Sequence, residues 1–116
     1  MGFCLGGLLA YLMASRSTLD CSVGYYGVGI ERYLDELSNI THPLMLHVAG
    51  QDEFCGPEAR ALLQARIGHH RGAEVHVYAG ARHAFARGQG RHYDAPAARL
   101  ADGRTEAFFA AHLKGA

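Results

Sequence analysis

Strand-like and helix-like stretches alternate along almost the whole of this 116-residue chain, and that alternation limits the folds open to it. Leu8, Leu9, Leu12 and Met13 recur at helical spacing over residues 6–15. A β-prone run at 21–26 is closed by Gly27 and Gly29, and residues 31–37 read as a short helix. Pro43 introduces the apolar run 44–48, which stops at Ala49-Gly50 as a strand stops at a loop. Pro57, one residue past Gly56, is suited to the first position of a helix over 57–67. Residues 73–78 then alternate with the period of a strand, and a glycine-containing loop over 79–91 leads to a last helix over 95–113. In that helix Leu100, Ala107, Phe108 and Ala111 fall near one face. Strands interleaved with helices predict an α/β fold, a parallel sheet covered on both faces. The three strands legible here are fewer than such a sheet ordinarily has.

Composition excludes several functions. Eleven Lys and Arg balance eleven Asp and Glu, so there is no electrostatic footprint for nucleic acid or an anionic membrane. Residues 6–14 are apolar, but no basic residue precedes Arg16, and a membrane span needs roughly 20 apolar residues. Three cysteines at 4, 21 and 55 leave one unpaired in any disulfide scheme, which points to a reducing, cytoplasmic compartment. The histidines at 47, 69, 70 and 76 fit no zinc-ligand spacing, and Gly24, Gly27 and Gly29 match no phosphate-binding loop, so neither metal nor organic cofactor is expected.

The chemistry starts at Gly2-Phe3-Cys4-Leu5-Gly6, a nucleophile-elbow pattern with Cys in place of Ser. Such a residue sits on a tight turn between strand and helix, so the positions two before and two after it must be small. The helix that follows aims free N–H groups and a positive dipole end at the sulfur, which favours thiolate. The N–H of Leu5 is then placed as an oxyanion-hole donor. Taken alone, Cys4 reads as a core residue; flanked by glycines ahead of an apolar helix, it reads as a nucleophile.

Candidate partners follow in the order nucleophile, acid, base. Asp52 lies just past the strand 44–48, at the kind of strand end where open α/β sheets place their sites. His83 lies in the loop after the strand 73–78. Its imidazole would take the thiol proton, and Asp52 would fix the ring's tautomer and stabilise its cation.

These stretches resemble the dienelactone hydrolase (carboxymethylenebutenolidase) family of cysteine-dependent α/β-hydrolases. The likeness rests on Gly2-Phe3-Cys4-Leu5-Gly6-Gly7, Val23-Gly24-Tyr25-Tyr26-Gly27-Val28-Gly29, Gly50-Gln51-Asp52 and His83-Ala84-Phe85-Ala86-Arg87. It implies that Cys4, His83 and Asp52 open the enol-lactone ring of dienelactone to maleylacetate, in bacterial breakdown of chlorinated aromatics. It also places Arg87 on the arginine that holds the substrate carboxylate, where the residue alone would read as a solvated charge. Tyr25 falls on a tyrosine lining the family's pocket, and reads equally as a strand aromatic packed in the core. Ala84 stands where relatives often carry Ser.

The likeness begins at the elbow. Residues 1–116 are therefore expected to be the C-terminal portion of a single α/β-hydrolase domain, a partial fold without its N-terminal strands. The missing N-terminal half would be its partner, and the second oxyanion donor, another arginine and a glutamate of the family cannot be carried over. The substrate expected is a small lactone or ester bearing a carboxylate. The alternatives are a general carboxylesterase or thioesterase on the same scaffold, or a truncated, non-catalytic interaction module.

Overall fold

The computed structural model describes residues 1–113. Four strands form one parallel sheet in the order of the chain: β1 (Gly2–Phe3), β2 (Ser22–Tyr25), β3 (Leu44–Ala49) and β4 (Ala73–Tyr78). The strand missed by the sequence reading is β1. It has only two residues, too few to show a period, and its register of Gly2 against Gly24 and Phe3 against Tyr25 defines it instead.

Each crossover carries a helical segment: α1 (Leu5–Arg16), a 3-10 segment (Ile30–Asn39) kinked at Tyr33, and α2 (Pro57–Leu62), which runs on into a π-helical turn (Leu63–Ile67). Sequential strand order with crossovers of one hand puts all three on the same face. There Tyr11, Ile30, Leu34, Leu37, Leu63 and Ile67 bury against Leu44, Leu46 and Val48. The other face of the same strands presents Val23, Tyr25, Met45, Ala49 and Tyr78, covered by Ala101 and Phe108 of α3 (Ala95–His112). The expected α/β architecture, with helices on both sides, is what the chain adopts.

The stripe by which α3 docks differs from the expected one. Its buried residues are Ala98, Ala101, Thr105 and Phe108, while Leu100 is 49% exposed and Ala107 is exposed as well. The shift has a polar cause. Thr105 lies over a hydrogen-bonded row in which His47 reaches both Thr105 Oγ1 and the Tyr78 hydroxyl at 2.8 Å. The Tyr25 hydroxyl meets Thr105 Oγ1 at 2.7 Å and donates to Asp102 at 2.6 Å. Buried polar groups need partners, and satisfying these fixes how α3 is rotated on the sheet. The helix start is fixed by Asp94, whose side chain accepts the Ala97 N–H.

Candidate active site

Strand β1 leads straight into the turn that carries Cys4. The Cys4 N–H donates to the Tyr25 carbonyl at 3.1 Å, and the Cys4 carbonyl accepts from Gly7 at 2.9 Å. Between them Cys4 takes a left-handed backbone angle, φ 57°, which a residue with a Cβ adopts only when its surroundings impose it. A side chain at Gly2 would overlap the Gly6 carbonyl, so small size is required there as the pattern predicts. Gly6 itself is different, because a methyl placed on it meets nothing within 4 Å among the described residues. The second tight position is Gly7, where a Cβ would lie 2.7 Å from the Tyr25 carbonyl and 2.8 Å from Gly27 Cα. Helix α1 thus starts pressed against the end of β2. Leu5 is its first residue, so its N–H belongs to the turn whose donors have no acceptor within the helix.

The loops after β3 and β4 are tied together by Gly50 N–H to Tyr78 O and Gln51 N–H to Ala81 O, both 2.8 Å. This brings Asp52 and His83 into contact: Asp52 Oδ2 lies 2.8 Å from His83 Nδ1. The other carboxylate oxygen accepts the Phe54 N–H at 2.8 Å. Asp52 therefore caps its own turn and orients the imidazole at once, with its side chain only 1% exposed. With Nδ1–H donated to Asp52, Nε2 keeps its lone pair. The ring is held edge-on between Tyr26, centroids 5.2 Å apart, and Phe54, 4.8 Å apart.

A cleft of about 280 Å3 opens beside this pair, lined by Phe3, Cys4, Tyr26, Ala84, Ala86 and Arg87. Three of these wall residues, Cys4, Tyr26 and Ala84, are the non-glycine residues with positive φ among the described residues. Unusual backbone concentrated around one cleft makes it the candidate functional site. Burial pushes the Cys4 thiol up, the Asp52 carboxylate pushes it the same way, and the Arg87 guanidinium opposes them. Burial and the Asp52 carboxylate thus act against the thiolate that the helix N-terminus is expected to favour.

Of the residues singled out from sequence, the structure puts Cys4 and Arg87 on the wall of this cleft, pairs Asp52 with His83 behind Tyr26, and leaves the Leu5 side chain outside it, at the start of α1. Tyr25 it sends elsewhere. Its side chain is 1% exposed, stacks on Phe3 at 4.5 Å, and spends its hydroxyl on Asp102 and Thr105 beneath α3. The core reading of Tyr25 is the one that holds, and Tyr26 takes the place on the cleft wall. Phe54 was also passed over; its signal was position, two residues past a candidate acid. Among the described residues no group of three His, Cys, Asp or Glu side chains is arranged to hold a metal ion.

A parallel sheet bearing a strained residue between strand and helix, with a carboxylate–imidazole pair supplied by two later strand ends, defines an α/β-hydrolase. The sequence profile of the Dienelactone hydrolase family matches residues 1–113. A protein of Azospirillum brasilense assigned as a carboxymethylenebutenolidase is 47% identical over 94% of this chain and 47% of its own length. The carboxymethylenebutenolidase of Pseudomonas putida is 42% identical over 95% of this chain and 47% of its own. A Klebsiella pneumoniae crystal structure assigned as a dienelactone hydrolase superposes with a TM-score of 0.83 at 24% identity, covering 94% of this chain and 50% of that one, and so shares the fold. The chain belongs to the dienelactone hydrolase family. It spans about half the length of the curated relatives it matches.

Proposed function

We propose that this chain carries the catalytic centre of a hydrolase that opens a small carboxylate-bearing lactone, with Cys4 as nucleophile, His83 as general base and Asp52 as the group that orients it. The observation that carries the reading is the 2.8 Å contact of Asp52 with His83 beside a cleft that also holds Cys4 and Arg87. The thiol proton passes to His83 Nε2 as the sulfur bonds to the lactone carbonyl carbon. The resulting oxyanion lies toward the Leu5 N–H. The ring C–O bond then breaks, the departing enol oxygen takes the proton from His83, and a thioester remains. Water, deprotonated by the same imidazole, releases the acid and restores the thiol.

Arg87 gives this reaction its selectivity, since a guanidinium grips a carboxylate through two parallel hydrogen bonds. Dienelactone, opened to maleylacetate in bacterial degradation of chlorinated aromatics, fits that requirement. The names of the relatives from Azospirillum and Pseudomonas support it. Residues 1–116 act in this reading as the C-terminal portion of one domain, completed by an N-terminal half. Three free cysteines fit a cytoplasmic setting, and no helix among the described residues is long and apolar enough to cross a membrane. The test is Arg87→Ala, assayed on an anionic lactone and on a neutral aryl ester. Loss of one charge-assisted contact should lower kcat/KM for the lactone by about 10- to 100-fold and leave the ester much less affected. Equal losses on both would assign the chain to the general carboxylesterases.

A further inference from the structure

A second cleft, of about 250 Å3, lies next to the first, and the proposed lactone chemistry does not use it. Its walls come from Leu5 and Leu8 of α1, from Val28, Glu31 and Arg32 after β2, and from Phe54. Two of these residues connect it to the reacting groups. Leu5 follows Cys4 and contributes the candidate oxyanion N–H, while the Phe54 ring packs on His83 at 4.8 Å. The catalytic line therefore has one cleft on either side of it. On the Cys4 and Tyr26 side is Arg87; on the Leu5 and Phe54 side the wall is mainly aliphatic and aromatic. Leu5 and Phe54 are 62% and 55% exposed, and both exposed side chains line this cleft.

An ester has two substituents about its scissile bond, and a hydrolase must house both. We infer that the Leu5–Leu8–Val28–Phe54 cleft is a subsite for the uncharged, apolar alcohol portion of an open-chain ester, whose carboxylate-bearing acyl portion lies toward Arg87. The inference rests on the Cys4–His83 reading above and extends it to a substrate class. Charge supports this orientation from the Arg87 side: that guanidinium attracts a carboxylate, whereas Glu31 and Arg32 in the second cleft carry opposite charges that offset each other. The chemistry balances as before. The C–S bond forms, the bond from carbonyl carbon to alkoxy oxygen breaks, and the alcohol leaves with the proton held by His83. Water then cleaves the thioester.

The test is a series of n-alkyl esters, methyl to hexyl, of one small dicarboxylic acid. In a cleft of this lining, kcat/KM should rise by about three- to fourfold for each of the first methylenes, the transfer gain of a buried CH2. Leu8→Trp and Val28→Trp, each of which places a bulky ring in the cleft, should each cut the hexyl-to-methyl ratio by at least about tenfold. Titration of hexan-1-ol, followed through the Leu8 methyl signals by NMR, reads occupancy without turnover and should shift them saturably. A flat chain-length profile, or a ratio unchanged in both variants, overturns the subsite while the hydrolase reading stands. Absence of turnover on any lactone or ester overturns the hydrolase reading; the hexan-1-ol titration then decides the cleft by itself, and no shift sinks it.

Discussion

His47 Nε2 lies 2.8 Å from Thr105 Oγ1, so an interior strand and the helix covering it are joined by a buried hydrogen bond. Burial, with His76 and Arg104 adding to it, pushes the His47 imidazole down to about 3 from an ordinary 6.5. Between those values the unfolded chain binds a proton that the folded chain refuses. Stability is therefore full above about pH 6.5 and falls as pH drops toward 3, by at most about 1.4 kcal/mol per unit. Urea unfolding of the wild type and of His47→Gln between pH 7.5 and 4.5 measures this. The variant should show the shallower slope, and equal slopes would assign the acid sensitivity to other groups.

Asp52→Asn separates the two duties of that side chain. The amide oxygen can still accept the Phe54 N–H, so the turn and the circular dichroism spectrum should persist. The ring loses the partner that sets its tautomer, and kcat should fall by on the order of 10,000-fold. A mild loss of turnover with an intact spectrum would show that His83 does not depend on this carboxylate.

The two glycines that follow the reactive turn should respond oppositely to Ala. Gly7→Ala brings a Cβ against the Tyr25 carbonyl and Gly27, backbone atoms that cannot swing aside, and should destabilise by about 1–3 kcal/mol. Gly6→Ala enters open space within a helix and should stabilise by about 0.4–1 kcal/mol through the unfolded state. Thermal unfolding of both variants gives the comparison, and a reversed order would contradict the packing described at the end of β2.

Adjacent tyrosines should divide stability from activity. Tyr25→Phe leaves the buried Thr105 hydroxyl short of one partner and should cost about 1–3 kcal/mol with KM unchanged. Tyr26→Leu removes the ring beside His83 and should lower kcat/KM by on the order of 100-fold through misplacement of the imidazole. Denaturant melts and steady-state kinetics on both proteins would show whether a KM effect follows Tyr25 after all.

The long elements were legible because each carries a local signal, an apolar run, an alternation or a helix-opening proline. The apolar run at 44–48 became β3, the alternation at 73–78 became β4, and Pro57 opened α2 as its missing N–H requires. The candidate acid and base were legible from their places just past these strands. What escaped the sequence has physical reasons. Two residues of β1 show no period, and the docking stripe of α3 turns on a threonine that hydrophobicity alone passes over. Tyr25 and Tyr26 share one strand end, where Tyr26 takes a left-handed backbone, φ 36°, that no residue type announces in the sequence. The buried His47 did leave a trace: a lone polar residue within Leu44-Met45-Leu46-His47-Val48 demands partners, though the sequence does not say which.

The three non-glycine positive-φ residues at the cleft belong to three separate segments: Cys4 between β1 and α1, Tyr26 just past β2, and Ala84 in the loop that follows β4. Each carries a conformational cost of about 1–3 kcal/mol that only the assembled sheet can sustain. The geometry of the cleft is thus a property of the registers between strands, not of any short peptide. Grafting these residues onto another scaffold would carry over their identities while letting the Cys4 backbone relax.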